Sequence, residues 1–170
     1  GLMGFYVAGR QLAKQVDPMR VAAYGLLVAL PAFSAVIFSA PMAAGWLFRL
    51  GALGIGLGGG LFAVGTLFTA MRIEKAYVGL ALGAWGAVQS ASAGIAMFLG
   101  GALRDTMTSV TTQGVLGTAL TDPSVAYSMV YHLEMLLLFL TLVAVGPLVK
   151  RRPFSAFHPA QPLGLTESRI

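Results

Sequence analysis

The stretch that decides the fold reads VAAYGLLVALPAFSAVIFSAPMAAGWLF, residues 21–48, and contains no charged side chain. Two further uncharged runs follow at residues 50–71 and 76–103. A hydrocarbon core about 30 Å thick is crossed by about 20 helical residues, so each of the three runs is long enough to span a bilayer. A soluble helix needs a polar face toward water, and these runs have none. The sequence therefore predicts a membrane protein.

The composition agrees with a membrane location and excludes several classes of function. Hydrophobic residues make up 57% of the chain, charged residues 10%, and the mean hydropathy is +0.81, whereas about a quarter of the residues of a soluble domain are charged. The chain has no cysteine, which excludes disulfides, thiolate metal sites and cysteine nucleophiles. The sequence contains no basic cluster interleaved with aromatic residues, so we do not expect nucleic-acid binding. No paired carboxylates, Ser/His/Asp arrangement or His/Cys cluster is visible either, so we expect no enzymatic activity.

The apolar runs and the links between them predict an all-α fold, a polytopic bundle of transmembrane helices. A partial helix at residues 1–10 is too short to cross a membrane. Because the sequence begins within this helix, we expect a longer polypeptide. A Pro-containing polar tail at residues 153–170 is expected to be disordered. Residues 1–152 form the predicted transmembrane domain, with complete spans at about residues 19–40, 46–72, 76–103 and 125–149.

Positive charges are distributed unequally between the two sides of this predicted layout. Cytoplasmic loops of membrane proteins carry an excess of Lys and Arg. Only Arg49 and Arg104 fall on one side, and the other nine basic residues fall on the opposite side: Arg10, Lys14, Arg20, Arg72, Lys75, Lys150, Arg151, Arg152 and Arg169. The links after the partial helix and after the second span, and the C-terminus, are therefore predicted to face the cytoplasm.

Glycine is concentrated in the second and third spans. Residues 54–59 read GIGLGG and match the G-x-G-x-x-G dinucleotide pattern, but that fingerprint needs a strand before it, whereas this one lies inside an apolar span. Small residues four apart let transmembrane helices approach closely, although a glycine-lined face also suits a flat ligand. Helix packing is the favoured interpretation for Gly54, Gly58, Gly79, Gly83, Gly86, Ser90 and Gly94.

Trp85 and Gln89 lie on one face of the third span, one helical turn apart, and Ser92 follows on the same face. An amide in hydrocarbon is costly unless it has a hydrogen-bond partner. Gln89 can find that partner on a neighbouring helix, which is the common use of such groups in membrane bundles. The alternative is a polar contact inside a cavity, which makes Trp85 and Gln89 candidates for contact with a pigment or substrate.

His132 and Glu134 are ionisable groups predicted to lie inside the fourth span. Counted from Val125, they lie about 10 and 13 Å along it at about 1.5 Å per residue, and ionisable groups at that depth mark functional sites. Being two residues apart, they point to different faces. Glu134 is a candidate for a proton relay or a buried ion pair, and His132 can offer a neutral imidazole to a metal, including the magnesium of a chlorin. The alternative is a helix that starts later, near Tyr127, which leaves both groups close to the aqueous interface.

The third span resembles a known family. Residues 78–89 read VGLALGAWGAVQ, residues 100–105 read GGALRD, and both stretches closely resemble the PucC family. This is the bacteriochlorophyll-delivery branch of the major facilitator superfamily, which also includes the LhaA proteins of purple bacteria. Residues 17–20, which read DPMR, and the glycine-rich stretch at residues 51–60 are similar too. The resemblance covers nearly all of the chain up to about Arg152.

The resemblance implies a fold of two six-helix halves, of which this chain supplies the end of the eighth helix and helices nine to twelve, in the C-terminal half of a major-facilitator-type fold. It implies a factor for light-harvesting complex assembly in the photosynthetic, intracytoplasmic inner membrane of a bacterium. Such a factor binds or delivers bacteriochlorophyll, for which His132 is the candidate magnesium ligand. The implied partners are antenna polypeptides, the reaction-centre complex, membrane lipids and the N-terminal half of the same protein.

Two other functions remain open on the residues alone. A secondary transporter of a small solute or proton would use Glu134 in its relay, although few charges within the spans make a strongly polar substrate a poor fit. A pigment-free scaffold would dock antenna helices on its glycine-rich faces and carry nothing.

Overall fold

The computed structural model describes residues 1–113 and 123–149, and nearly all of this part of the chain is helical. The all-α prediction is confirmed. The tail predicted at residues 153–170 lies outside the described residues, as do residues 114–122 of the link predicted before the last span. The elements are α1 (Leu2–Ala13), α2 (Pro18–Ser39), α3 (Gly45–Met71), α4 (Val78–Thr112), α5 (Pro123–Val145) and a 3-10 helix at Gly146–Leu148.

Helices α2 to α5 are long and apolar enough to cross a membrane. Large apolar side chains on them face outward, among them Leu80, Met97 and Val143, which are 75%, 79% and 73% exposed. Such a surface is stable next to lipid and would be unfavourable in water. The chain is therefore a multi-pass membrane protein.

Helix α1 is longer than the sequence predicted. It continues past Arg10 to Ala13, because Gln11, Leu12 and Ala13 are good helix formers and a charged residue does not itself end a helix. The helix ends where Gln15 adopts a positive φ of 59°, a conformation that a right-handed helix cannot contain.

Helix α4 also continues beyond its predicted end, from Leu103 to Thr112. The charges that begin at Arg104 mark the edge of the apolar stretch, not the end of the helix. Two threonines beyond that edge remain helical, and the hydroxyls of Thr106 and Thr108 each donate to the carbonyl oxygen four residues earlier at 2.8 Å. Hydrogen bonding back to the preceding turn is how threonine is accommodated in a helix.

Helices α2 and α3 are antiparallel and their backbones touch along a seam of glycines. A Cβ atom placed on Gly58 would lie 2.5 Å from the carbonyl oxygen of Gly25, and a Cβ on Gly25 would lie 2.5 Å from the carbonyl oxygen of Gly58. A Cβ on Gly65 would lie 2.6 Å from the carbonyl oxygen of Pro18. No side chain other than hydrogen fits at these positions, so the glycines set the distance between the two helices.

Helix α1 packs on α3 at a second seam. A Cβ on Gly4 would lie 2.5 Å from the carbonyl oxygen of Leu57, and a Cβ on Gly60 would lie 2.9 Å from the Cα of Gly4. Ala8 and Leu61 are buried beside this seam together with Val21 of α2. Helix α3 thus lies between α1 and α2, and because both intervening links are short, α1 and α3 run in the same direction.

The two links that join α1, α2 and α3 are tight. Asp17 is the N-cap of α2. Its Oδ1 accepts a hydrogen bond from the backbone N–H of Met19 at 3.2 Å, which satisfies one of the free donors of the first turn. Between α2 and α3, Ala43 adopts a positive φ of 49°, and the N–H of Ala44 donates to the carbonyl oxygen of Ser39 at 3.0 Å.

Candidate functional site

His132 lies in α5 with its ring exposed. Its Nδ1 is 2.6 Å from the carbonyl oxygen of Ser128, one helical turn earlier. A carbonyl oxygen has no hydrogen to give, so Nδ1 carries the hydrogen and donates it. In the neutral ring this leaves the lone pair on Nε2, the nitrogen that can bind a metal. The hydrogen bond thus fixes both the tautomer and the direction of the ring, as the outer partners of metal-binding histidines do.

The surface of α5 around His132 is apolar. Met129, Leu133, Leu136 and Leu140 lie on neighbouring turns and are 46%, 43%, 55% and 58% exposed. Across the described residues, no group of three or more His, Cys, Asp and Glu side chains could hold a metal ion. His132 therefore offers a ring nitrogen from an apolar helix face and belongs to no such group.

Glu134 occupies a different face of α5 from His132. It is half-buried, on the side that also carries Tyr131, whose ring centroid lies 6.2 Å from that of Phe33 in α2. No hydrogen bond joins the carboxyl group to the part of the chain that the structure describes. His132 and Glu134 therefore lie on different faces of α5 and do not form one site by themselves.

The start of α5 is tied to the far end of α4. The Arg104 guanidinium lies 5.8 Å from the ring centre of Tyr127, its Nη1 is 3.5 Å from the Tyr127 hydroxyl, and its Nε donates to Asp105 at 3.0 Å. The helix begins at Pro123, about one turn before Tyr127, whereas the stretch that is long and apolar enough to cross a membrane begins at Tyr127. The depth of His132 and Glu134 in the membrane therefore stays a prediction. Counted from the level of Tyr127, His132 lies about 8 Å further along the bundle.

Trp85 uses its polar atom in helix packing. Its Nε1–H donates to the hydroxyl of Thr66 in α3 at 3.1 Å, and that hydroxyl donates to the carbonyl oxygen of Phe62 at 2.9 Å. Gln89, one turn further along α4, is half-buried and makes no hydrogen bond to the described residues. The hydrogen bond between helices on this face is therefore made by the indole and not by the amide.

The four pigment- or substrate-contact candidates do not form one site. Gln89 lies fifteen residues before Arg104 along α4, or about 22 Å at about 1.5 Å per residue, whereas His132 lies only about 8 Å from the same level along the antiparallel α5. About 15 Å of bundle length therefore separates the Trp85–Gln89 pair from the His132 level.

The predicted packing glycines fall into two groups. Gly54 and Gly58 face α2, and a Cβ on Gly54 would lie 2.7 Å from the Cβ of Ala32. In α4, by contrast, a Cβ would meet nothing within 4 Å at Gly79, Gly83, Gly86 or Gly94, and Ser90 is exposed. The α4 residues face no described part of this chain, and their role in packing stays a prediction.

Sequence reasoning missed the partners of these side chains. Ser128 contributes a backbone carbonyl, and its signal was the four-residue spacing from His132, which places the two groups on consecutive turns. The hydroxyl of Thr66 in α3 accepts a hydrogen bond from Trp85 in α4, and no local sequence pattern predicts a contact between two helices.

Comparison with known proteins gives a consistent answer. The family described as PUCC protein matches residues 1–153. The chain is 46% identical over 170 residues to an uncharacterized protein in the puhA-bchM intergenic region of Rhodobacter capsulatus, covering 99% of this chain and 35% of that protein. It is 42% identical over 151 residues to Protein PucC of Cereibacter sphaeroides, covering 88% of this chain and 32% of that protein.

A third relative agrees with the first two. Protein PucC of Rhodovulum sulfidophilum is 50% identical over 105 residues, which cover 61% of this chain and 23% of that protein. The chain thus spans about a third or less of the length of the curated relatives it matches. No solved structure matches it. Because the family match extends over nearly the whole transmembrane domain, the chain belongs to the PucC family.

Proposed function

We propose that this chain is part of a membrane protein that binds bacteriochlorophyll and delivers it to light-harvesting antenna subunits. Membership of the PucC family and the multi-pass architecture support a role in photosynthetic membranes. The proposal places the chain in the C-terminal half of a major-facilitator-type protein in the intracytoplasmic inner membrane, with its C-terminus in the cytoplasm. Its partners are then the antenna polypeptides, the reaction-centre complex and the N-terminal half of the same polypeptide, and no catalytic step is required.

The observation that carries the proposal is the geometry of His132. Its Nδ1 is engaged with the carbonyl oxygen of Ser128 at 2.6 Å, so Nε2 would be the nitrogen that binds the metal. Bacteriochlorophyll, when bound, would supply a magnesium ion that takes a ligand from the protein. On this chain, His132 would hold the ion from one side, while the exposed side chains of Met129 and Leu136 exclude water from the contact.

The position of His132 also suits delivery. A ligand held by a single nitrogen on an exposed helix face is open to a second helix arriving through the lipid. The bound molecule can then move to the second helix by giving up its one bond to His132, without passing through the interior of the bundle. One moderately strong bond is what a carrier needs, because a carrier must release what it binds.

The experiment is an absorption spectrum of the gently purified full-length protein and of its His132→Leu variant. We expect bacteriochlorophyll bands in the unmodified protein and their loss or strong reduction in the variant. Ser128→Ala is the matched control, because the hydrogen bond ends on a backbone carbonyl that alanine also provides. Pigment that is retained in His132→Leu, or protein that is free of pigment while antenna assembly is normal, would contradict the proposal.

A second candidate function is proton-coupled transport of a small solute. It is favoured by one observation, the half-buried position of Glu134 on the α2-facing side of α5, because carboxyl groups inside a bundle serve as proton relays. Uptake into vesicles that depends on a proton gradient and is abolished in Glu134→Gln would establish this function. Uptake that is absent or unchanged in the variant would exclude Glu134 from such a role.

A further inference from the structure

The basic residues at one end of the bundle are not used by the proposed function. Helices α1 and α3 end there, and α2 and α4 begin there. The described residues at this end include two carboxylates, Asp17 and Glu74, of which Asp17 caps the start of α2. Basic side chains outnumber them five to two, and these are Arg10, Lys14, Arg20, Arg72 and Lys75.

Part of this charge complements the helices themselves. Lys14 and Arg72 are the C-caps of α1 and α3, where the free carbonyl groups of the last turn favour a cation. Arg10 is different. Its guanidinium lies 5.9 Å from the ring centre of Tyr6, one turn back along α1, and both residues are exposed. Arg10 therefore lies on the outer surface of α1, over an aromatic ring.

The outer surface of α1 changes from apolar to basic along a single line. Met3, Tyr6, Arg10 and Lys14 follow one another at spacings of three and four residues, so they lie on one face of the helix. Met3 and Tyr6 are 72% and 65% exposed, and Arg10 and Lys14 are exposed as well. The opposite face, with the buried Gly4 and Ala8, packs on α3. This line therefore points away from the other helices that the structure describes.

We propose that this line is a binding site for an anionic phospholipid. The phosphate lies between Arg10 and Lys14, and an acyl chain lies along Met3 and the ring of Tyr6. Charge complementarity selects the occupant, since basic side chains at the membrane interface attract anionic headgroups and an apolar strip directly below them matches the tail of the same molecule. The tyrosine ring, which is amphipathic, lies at the boundary between the two.

The test uses the full-length protein in nanodiscs of phosphatidylcholine and phosphatidylglycerol, with native mass spectrometry of the lipids that remain bound after release. We expect phosphatidylglycerol to be retained over phosphatidylcholine. Arg10→Gln and Lys14→Gln should each weaken this retention about fivefold. Arg49→Gln is the matched control, because it removes the same charge at the opposite end of the bundle and should leave retention unchanged.

Arg10→Lys separates lipid binding from a structural role of the guanidinium. It preserves the charge, so it should keep most of the phosphatidylglycerol if the site binds a headgroup. Equal retention of the two lipids, an equal loss in Arg49→Gln, or a loss in Arg10→Lys as large as in Arg10→Gln would each overturn the proposal.

Discussion

Replacing Gly58 with alanine tests whether backbone contact holds α2 and α3 together. The new Cβ would lie 2.5 Å from the carbonyl oxygen of Gly25 and 3.1 Å from the Cβ of Ala29, whereas ordinary contact begins at 3.4 Å, so the helices must separate by about 0.9 Å. Overpacking of this kind costs about 1–3 kcal/mol. The higher helix propensity of alanine returns up to about 1 kcal/mol. With the full helix-propensity gain subtracted, the net loss of stability should be up to about 2 kcal/mol, or up to roughly 30-fold in the unfolding equilibrium.

The neighbouring glycine provides the control. A Cβ on Gly59 would meet nothing within 4 Å, so Gly59→Ala should be neutral or stabilising by up to about 1 kcal/mol. Reversible unfolding of the protein in mixed micelles, followed by circular dichroism, measures both variants under the same conditions. If Gly58→Ala and Gly59→Ala have the same stability, the glycine seam does not set the distance between these helices and the reasoning is refuted.

The same unfolding assay checks three further contacts. Ala43→Gly should stabilise the protein by about 1 kcal/mol, because alanine is strained at a φ of 49°, whereas Ala44→Gly, at a φ of −105°, should bring no such gain. Trp85→Phe and Thr66→Val should each cost about 1 kcal/mol, and the double variant should cost less than their sum because both changes remove the same hydrogen bond. Asp17→Ala should cost about 1 kcal/mol through the loss of the α2 cap, and Asp17→Asn clearly less; equal losses in the two would mean that the side-chain oxygen does not act as a cap.

The positions of the membrane helices follow from where charges stop and start. The predicted spans at residues 19–40 and 46–72 match α2 and α3 to within a residue at either end. Asp17 precedes α2 and Arg72 follows α3, whereas the turn between the two helices lies inside the uncharged run at residues 21–48 and no charge marks it. The end of α4 could not be found in this way. Charge reports where the hydrocarbon ends, and a helix that leaves the membrane can continue in water if its backbone hydrogen bonds are maintained.

The candidate site was only half accessible from the sequence. The position of His132 along α5 follows from counting residues, but the free nitrogen of its ring depends on a hydrogen bond whose length must be observed. The contact between Trp85 and Thr66 depends on how α4 is rotated against α3, which periodicity in a uniformly apolar helix does not record. The glycine pattern was likewise ambiguous. Gly58 and Gly83 have similar sequence surroundings, but Gly58 packs against α2, whereas a Cβ on Gly83 would meet nothing within 4 Å.

The two glycine seams of α3 also determine which parts of the bundle can move. Helices that meet through side chains can shift by exchanging rotamers, but α1, α2 and α3 meet through backbone atoms, and any sliding would drive carbonyl oxygens into the neighbouring chain. These three helices should therefore behave as one rigid body. Helix α4 is joined to α3 through the Trp85 side chain and to α5 through that of Arg104, both of which can rotate. Rearrangement within this segment should consequently be concentrated in α4 and α5, the helices that carry Gln89 and His132.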